Sequence, residues 1–86
     1  MVKKEIRLLR RGVPRQEYLD YFLALGKEVE PGRIVGPDWE VVVGEEREAK
    51  ILTCTIEEAE VIFRGEEDVV NELINDFRLK FLRAGG

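Results

Sequence analysis

The chain has 86 residues, no His, one Cys, and 18 acidic against 14 basic residues, for a net charge of −4 at pH 7. A chain this short forms one domain with a small core, so we predict a single domain over residues 1–86. No apolar run approaches the roughly 18 to 20 residues that cross a bilayer, and no signal-peptide core follows the amino terminus, so we expect a cytoplasmic protein.

Charge is unevenly distributed along the sequence. Residues 1–15 carry a net +5, residues 16–76 carry −12, and the last ten residues carry +3. We expect the basic first strand to lie beside acidic neighbours that neutralise it, and we therefore regard nucleic acid as an unlikely partner. The alternative is nucleic-acid binding through Lys4, Arg7 and Arg11, which would require a continuous basic face.

The amino-terminal third predicts a strand followed by a helix. Residues 3–10 alternate, with Ile6 and Leu8 on one face and charged side chains on the other. Pro14 suits the first position of a helix that we predict over residues 14–25, and Gly26 suits its end.

The middle of the chain predicts four short strands in an antiparallel meander. Turn residues at 30–32 and 36–38 flank a short strand at 33–35, and Trp39 begins a stronger strand over residues 39–43. We predict two further strands, one over residues 49–55 and one that runs from Ile56 up to Gly65, which stops it.

The last element is predicted to be an amphipathic helix over about residues 66–82. Three acids begin it, where a helix amino terminus is positive, and apolar residues follow at helical spacing. The order β-α-β4-α predicts a two-layer α+β domain, with both helices on one face of an antiparallel sheet. The other face, which we expect to be solvated, carries Lys3, Glu5, Arg7, Glu40, Glu58 and Glu60.

No set of catalytic, cofactor-binding or metal-binding residues stands out, and we predict that the protein is not an enzyme. Cys54 has no His to activate it, and we expect an inert, buried or half-buried side chain in a strand. Zinc lacks its usual ligands, and the carboxylates at 45–48 and 66–68 resemble a solvated turn and the start of a helix.

Aromatic residues indicate a contact surface or a core. The first helix carries two apolar stripes, and the second stripe, with Tyr18, Tyr21 and Leu25, is available for a partner or for a second copy. Trp39 either closes one end of the core or extends that surface. A small-ligand cavity lined by Phe63, Phe77 and Phe81 is a further alternative.

A family resemblance accompanies these patterns. Pro14 with the Tyr18-Leu19 helix, the turn from Gly36 to Trp39, the strand at 61–65 and the Arg-Ala-Gly-Gly end resemble a domain of bacterial proteins related to the small, sulfur-carrying subunit of molybdopterin synthase. That domain is their carboxy-terminal one and has no assigned activity. The resemblance implies a TATA-binding-protein-like fold and an accessory role near molybdopterin or sulfur metabolism.

The terminal Gly85-Gly86 indicates one specific chemistry. In ubiquitin-like sulfur carriers and modifiers such a tail is activated at its carboxylate. In the relatives a carrier domain precedes this one, whereas here Met1 leads directly into the first strand, so we expect no inherited sulfur transfer. The tail follows a helix, and we interpret it as a helix terminator. The leading hypothesis is therefore a non-catalytic module that acts by protein association, with a carrier role as the alternative.

Overall fold

A computed structural model describes residues 2–81, apart from the side chain of Ile51. These residues form six strands and two helices in the order β-α-β5-α: β1 (Lys3–Arg11), α1 (Arg15–Leu23), β2 (Lys27–Glu30), β3 (Arg33–Gly36), β4 (Trp39–Val43), β5 (Arg47–Ile51), β6 (Cys54–Glu66) and α2 (Glu67–Lys80). The predicted α+β class is confirmed.

The long strand β6 organises one antiparallel sheet with the strand order β1-β6-β4-β3-β2. One edge of β6 pairs with the whole of β1, from Lys3 opposite Glu66 to Arg11 opposite Glu58. Its other edge pairs with β4 through residues 61–65 and with β5 through residues 54–58. Three of the five strand pairings among the described residues therefore involve this single strand of 13 residues, and β3 and β2 extend the sheet beyond β4.

Alternation along the strands separates an apolar face from a charged one. Ile6, Phe63, Val41 and Ile34 lie opposite one another across four strands. The last three are fully buried. The two helices cover this face, and the rings of Phe22 in α1 and Phe77 in α2 stack with their centroids 5.5 Å apart. Both helices thus lie on one side, as predicted, and the core is between the layers.

The predicted order missed β2. Its residues Lys27–Glu30 are all exposed and lack an alternating apolar face, so periodicity gives no signal for a strand at this edge of the sheet. A hairpin turn at residues 31–32, with Gly32 at φ 81°, returns the chain into β3.

Several predicted boundaries also differ from the structure. The turn before β6 lies at residues 52–53, with Leu52 at φ 55°, rather than after residue 55. Helix α1 is shorter than predicted, with Pro14 as its N-cap, and α2 ends at Lys80. The residues on both sides of the turn between β5 and β6 favour strands, so composition alone does not show where that turn lies.

Gly65 was predicted to end this strand, but β6 continues to Glu66. Gly65 instead allows the backbone of residues 38–39 to approach β6 closely. Its φ of 147° suits glycine alone, and a Cβ there would meet the backbone oxygen of Asp38 and lie 2.8 Å from the Cα of Trp39. The Glu66 N–H donates to the same Asp38 oxygen at 3.0 Å. This contact fixes the start of β4, and with it the position of Trp39.

Phe77→Ala is expected to destabilise the protein by about 3 to 5 kcal/mol, because it removes a fully buried ring that packs against Phe22 and Phe63. Urea unfolding followed by circular dichroism measures the change. The control is Leu79→Ala in the same helix, where the side chain is 66% exposed and the expected change lies within about 0.5 kcal/mol. Equal losses in both variants would contradict this description of the core.

Candidate protein-docking site

An apolar groove runs along the outer surface between α1 and α2; we call it the helix groove. It consists of two adjoining depressions of about 430 and 220 Å³ that share Leu25. Its lining residues are Glu17, Asp20, Tyr21, Ala24, Leu25, Trp39, Val69, Glu72, Leu73, Asp76, Lys80 and Phe81. Three of the four residues predicted from the sequence as an interface, Tyr21, Leu25 and Trp39, therefore lie in one groove.

The floor of the helix groove is an aromatic surface of closely packed rings. Tyr21 is half-buried, and its ring meets those of Phe22 and Phe81 edge to face at 5.1 and 5.6 Å between centroids. Burial, together with the negative charge of Asp76, raises the pKa of Tyr21 above its usual value. Tyr21 is thus a neutral side chain with an apolar body and a polar tip, a combination favoured at protein interfaces.

Leu25 supplies the exposed apolar part of the groove. The chain passes from the end of α1 towards β2 here, and the N–H groups of Leu25 and Gly26 both donate to the Phe22 carbonyl at 2.9 Å. These bonds hold Leu25 in place while 48% of its surface stays exposed. An exposed aliphatic side chain on a hydrogen-bonded backbone, beside an aromatic floor, suits contact with an apolar side chain from a partner.

The rim of the helix groove is acidic. Glu17 and Asp20 of α1 and Glu72 and Asp76 of α2 surround the apolar floor, and Lys80 is the one cation among the lining residues. At neutral pH the lining therefore carries a net charge of −3. Such a rim attracts cationic segments and disfavours acidic ones.

Tyr18 does not belong to this surface, and its assignment to an exposed stripe is wrong for the isolated chain. Its side chain is fully buried, with its ring 5.0 Å from Phe81 and 5.6 Å from Phe77. Residues 18 and 21 are neighbours on the helix, but the approach of α2 covers the first and leaves the second at the margin. The sequence shows the spacing of the stripe but not the position of the second helix.

Trp39 is both a core residue and a surface residue, the two alternatives that the sequence left open. Its ring lies against Gly26 and Gly36, where a Cβ on either glycine would overlap it, and its centroid is 6.5 Å from that of Phe22. It is nevertheless half-exposed and lines the helix groove beside Leu25. Trp39 therefore closes one end of the core and also contributes to the surface.

The opposite face of the sheet carries a network of ion pairs. Arg64 of β6 bridges Glu5 of β1 and Glu40 of β4, which lie directly opposite it on either side. Burial would raise the pKa of Glu40, but hydrogen bonds from Arg33 and Arg64 outweigh it and hold that pKa below its ordinary value. The charges predicted for this face are thus largely matched among themselves.

Glu58 forms a second centre on the same face. Its carboxylate accepts hydrogen bonds of 2.9 Å from both Arg11 and Arg47, and 9% of its side chain is exposed. The hydrogen bond from Arg11, with a further contribution from Arg47, lowers the pKa of Glu58, although burial opposes the shift. This pairing clamps β1 and β5 to the two edges of β6.

A third depression, of about 630 Å³, lies at the end of the sheet near Gly36 and Gly65. Lys3, Lys4 and Arg64 line it together with Glu5, Asp38 and Glu40, so its charges balance. Arg64 is already engaged with two carboxylates, and Lys4 donates to Asn71 at 2.7 Å. The helix groove, with its uncompensated charge and exposed apolar floor, is the stronger candidate for recognition.

The remaining candidates are dispersed over the structure. Lys4 lies on the helix side of β1, whereas Arg7 and Arg11 lie on the opposite side, so the three cations do not form one basic face. Phe63 and Phe77 are fully buried, with centroids 5.4 Å apart, and pack against each other rather than around a cavity.

Cys54 was expected to be buried or half-buried, and this expectation is wrong. It is exposed, because the turn at residues 52–53 places it at the first position of β6, beside the tip of the hairpin. Within residues 2–81, no cluster of three or more carboxylate or Cys side chains is arranged to hold a metal ion. Gly85 and Gly86 lie outside the described residues.

These observations describe a small two-layer α+β structure with an apolar, acid-rimmed groove on its helical layer. The sequence matches the model of the family described as archaeal MoaD-like protein over residues 6–86, and the chain belongs to that family. The match agrees with the resemblance to proteins related to the small subunit of molybdopterin synthase. Neither the curated proteins nor the solved structures contain a match to this chain.

The stability of the protein is expected to fall as the pH is lowered through the folded-state pKa values of Glu40 and Glu58. Both values lie below the ordinary 4.5, so each carboxylate stabilises the fold above that pH and loses its contribution as it is protonated in the native state. Urea unfolding of Glu58→Gln and of the original chain between pH 7 and about pH 2 measures this effect.

The difference in stability between Glu58→Gln and the original chain should be largest at neutral pH and should shrink in acid. Glu48→Gln, in the exposed strand β5, is the matched control and should follow the original chain. A difference that stayed constant down to the lowest pH would contradict a role for the ionised Glu58 carboxylate.

Proposed function

We propose that the protein is a non-catalytic cytoplasmic module that binds another protein through the helix groove, in an accessory role near molybdopterin or sulfur metabolism. The observation that carries this proposal is an apolar floor, formed by Tyr21, Leu25 and Trp39, inside an acidic rim. Membership of the archaeal MoaD-like family supports the connection with sulfur carriers.

The partner that fits this groove is an amphipathic segment with cationic side chains. Its apolar residues would cover Leu25 and Tyr21, and its Lys or Arg side chains would meet Glu72, Asp76 and Asp20 on the rim. Arg is especially suitable, because its planar guanidinium pairs with carboxylates and stacks on aromatic rings.

A different protein fits the groove better than a second copy does. A two-fold dimer through α1 would bring the same patch of both chains together, so that two acidic rims would face each other. Like charges in such a contact oppose association. We therefore favour a different protein over a second copy of the chain as the occupant of the helix groove.

The TATA-binding-protein-like arrangement implied by the resemblance also stays a prediction. The helix order and the placement of both helices on one face of the sheet are compatible with it. Architecture alone gives no function, so nothing in the proposal rests on DNA binding by that fold.

Leu25→Arg is expected to weaken binding of the partner at least tenfold, while the fold stays intact because the side chain is half-exposed. The partner is first trapped by a photo-crosslinking amino acid placed at position 25 and identified by mass spectrometry. The purified partner is then titrated calorimetrically against the original chain and the variant.

Leu79→Arg is the control for this experiment, since Leu79 is 66% exposed on α2 and does not line the groove. It adds the same charge and should bind normally. A crosslinked segment without cationic residues, or equal binding by both variants, would refute the proposed recognition.

A carrier role is the second candidate, because the family match extends to residue 86 and so includes the terminal Gly85-Gly86. In this case the Gly86 carboxylate would be adenylated and then converted to a thiocarboxylate. Intact-mass spectrometry after incubation with ATP, a sulfur donor and an activating enzyme of the carrier type would detect the exchange of one oxygen for sulfur.

The control for the carrier role is a chain that lacks Gly86, which should show no such mass change. Leu25→Arg should still be modified if the tail alone is recognised by the activating enzyme. An unchanged mass in the full chain would remove this candidate and would leave the docking proposal untouched.

A further inference from the structure

The outer edge of β1 is a second candidate surface, on the opposite side of the sheet from β2. β1 ends the strand order, and it is nine residues long. Among the described residues, β6 is the one strand that pairs with it. A long strand with one unpaired edge is a template for the addition of another strand.

Hydrogen bonds at the two ends of the strand establish which backbone groups face outward. The Gly12 N–H donates to the Glu57 oxygen at 2.9 Å, and the Glu67 N–H donates to the Val2 oxygen at 2.8 Å. Hydrogen-bonded positions alternate in an antiparallel pair, and the register is continuous from Lys3 to Arg11. The even-numbered residues therefore bond to β6, and the odd-numbered ones direct their N–H and C=O groups outward: Lys3, Glu5, Arg7, Leu9 and Arg11.

The same odd-numbered residues direct their side chains to the open face of the sheet. Lys3, Arg7 and Arg11 are all exposed. Arg7 reaches Glu5 and Glu60 at long distances of 3.7 and 3.8 Å, and Arg11 donates to Glu58 at 2.9 Å while 50% of its side chain stays exposed. Leu9, between Arg7 and Arg11, is 47% exposed. The edge thus presents outward backbone groups, cations at Lys3, Arg7 and Arg11, one carboxylate at Glu5 and one apolar side chain at Leu9.

We propose that the outer edge of β1 binds an extended acidic segment of a partner protein, which adds as a further antiparallel strand. Carboxylates directly opposite Lys3, Arg7 and Arg11 and an aliphatic side chain opposite Leu9 complete the recognition. The backbone hydrogen bonds supply affinity, and the spacing of charges supplies specificity.

A second copy of the chain fits this edge poorly. Two β1 strands paired about Arg7 would place Arg7 opposite its own equivalent and Lys3 opposite Arg11 of the other copy. Like charges directly opposite one another destabilise a strand pair. In this register, which pairs residues 3–11 of both strands over their full length, like charges therefore disfavour a second copy, and the edge favours an acidic strand.

The test uses a fluorescent nine-residue peptide with the sequence Glu-Thr-Val-Thr-Glu-Thr-Thr-Thr-Glu. Its three glutamates lie opposite Arg11, Arg7 and Lys3, and its valine lies opposite Leu9. Fluorescence anisotropy measures its binding to the original chain. Methylation of the valine nitrogen is expected to weaken binding at least about tenfold, because that N–H faces β1. Methylation of the threonine nitrogen next to it should have little effect, because that N–H faces away.

Leu9→Pro tests the protein side of the same contact. It removes an outward N–H without removing a bond to β6, which proline tolerates in an edge strand, and it should abolish peptide binding. Leu9→Ala keeps the N–H and should lose far less. If Leu9→Pro does not fold, the pair of methylated peptides decides the question by itself.

Three results would overturn the proposal: no binding of the unmethylated peptide, equal binding of the two methylated peptides, or a dimer in sedimentation that Leu9→Pro dissociates. A single-stranded oligonucleotide is tested as a competitor. If it binds the original chain and Leu9→Pro equally and displaces the peptide from both, the surface binds nucleic acid and does not need the edge N–H. Leu25→Arg should bind the peptide normally, so failure here and failure of the helix groove are distinguishable.

Discussion

The pairing of β6 with β1, β4 and β5 is the constraint on which the rest of the structure depends. Its 13 residues are long enough for two strands to share one of its edges while β1 covers the other. Alternation along this one strand sends Phe63 and Val61 to the helices and Arg64, Glu60 and Glu58 to the opposite face. A change of register by one residue would exchange these two sets, so the hydrophobic core and the ion-pair network fix the same alignment.

The two layers divide the charge of the protein between them. On the open face of the sheet, cations and carboxylates pair across neighbouring strands, as Arg64 does with Glu5 and Glu40. On the helical layer, the carboxylates along α1 and α2 surround an apolar groove that contains one cation. The helical layer therefore carries concentrated negative charge, whereas the outer edge of β1 carries three exposed cations and one carboxylate.

The helix groove and the outer edge of β1 both have features that suit the recognition of protein segments. In the two proposals the helix groove binds an amphipathic cationic segment and the β1 edge binds an extended acidic one, so the two surfaces would hold dissimilar partners. Such an arrangement is the one expected under the accessory role proposed for this member of the archaeal MoaD-like family. The association hypothesis depends on the helix groove and the β1 edge, whereas the carrier hypothesis depends on the Gly86 carboxylate, so the two can be tested separately.

The sequence by itself determined the elements whose periodicity is strong. Ile6 and Leu8 defined the inner face of β1, and Val70, Leu73 and Phe77 defined the buried side of α2, because burial of one face requires an apolar residue at each strand or helix period. Glu40 and Glu60 were likewise placed on the open face by alternation. The family resemblance came from the same local patterns.

The tertiary structure alone decided which of these residues reach the surface. Tyr18 is buried and Tyr21 half-exposed because α2 lies closer to one than to the other, and no local pattern in α1 records the position of a helix that begins more than 40 residues later. Strand β2 exists because β3 pairs with it, not because Lys27–Glu30 has strand periodicity. Cys54 is exposed because the hairpin turns two residues before it. Helix and strand periods are local properties of a sequence, whereas burial and edge position depend on contacts between distant segments.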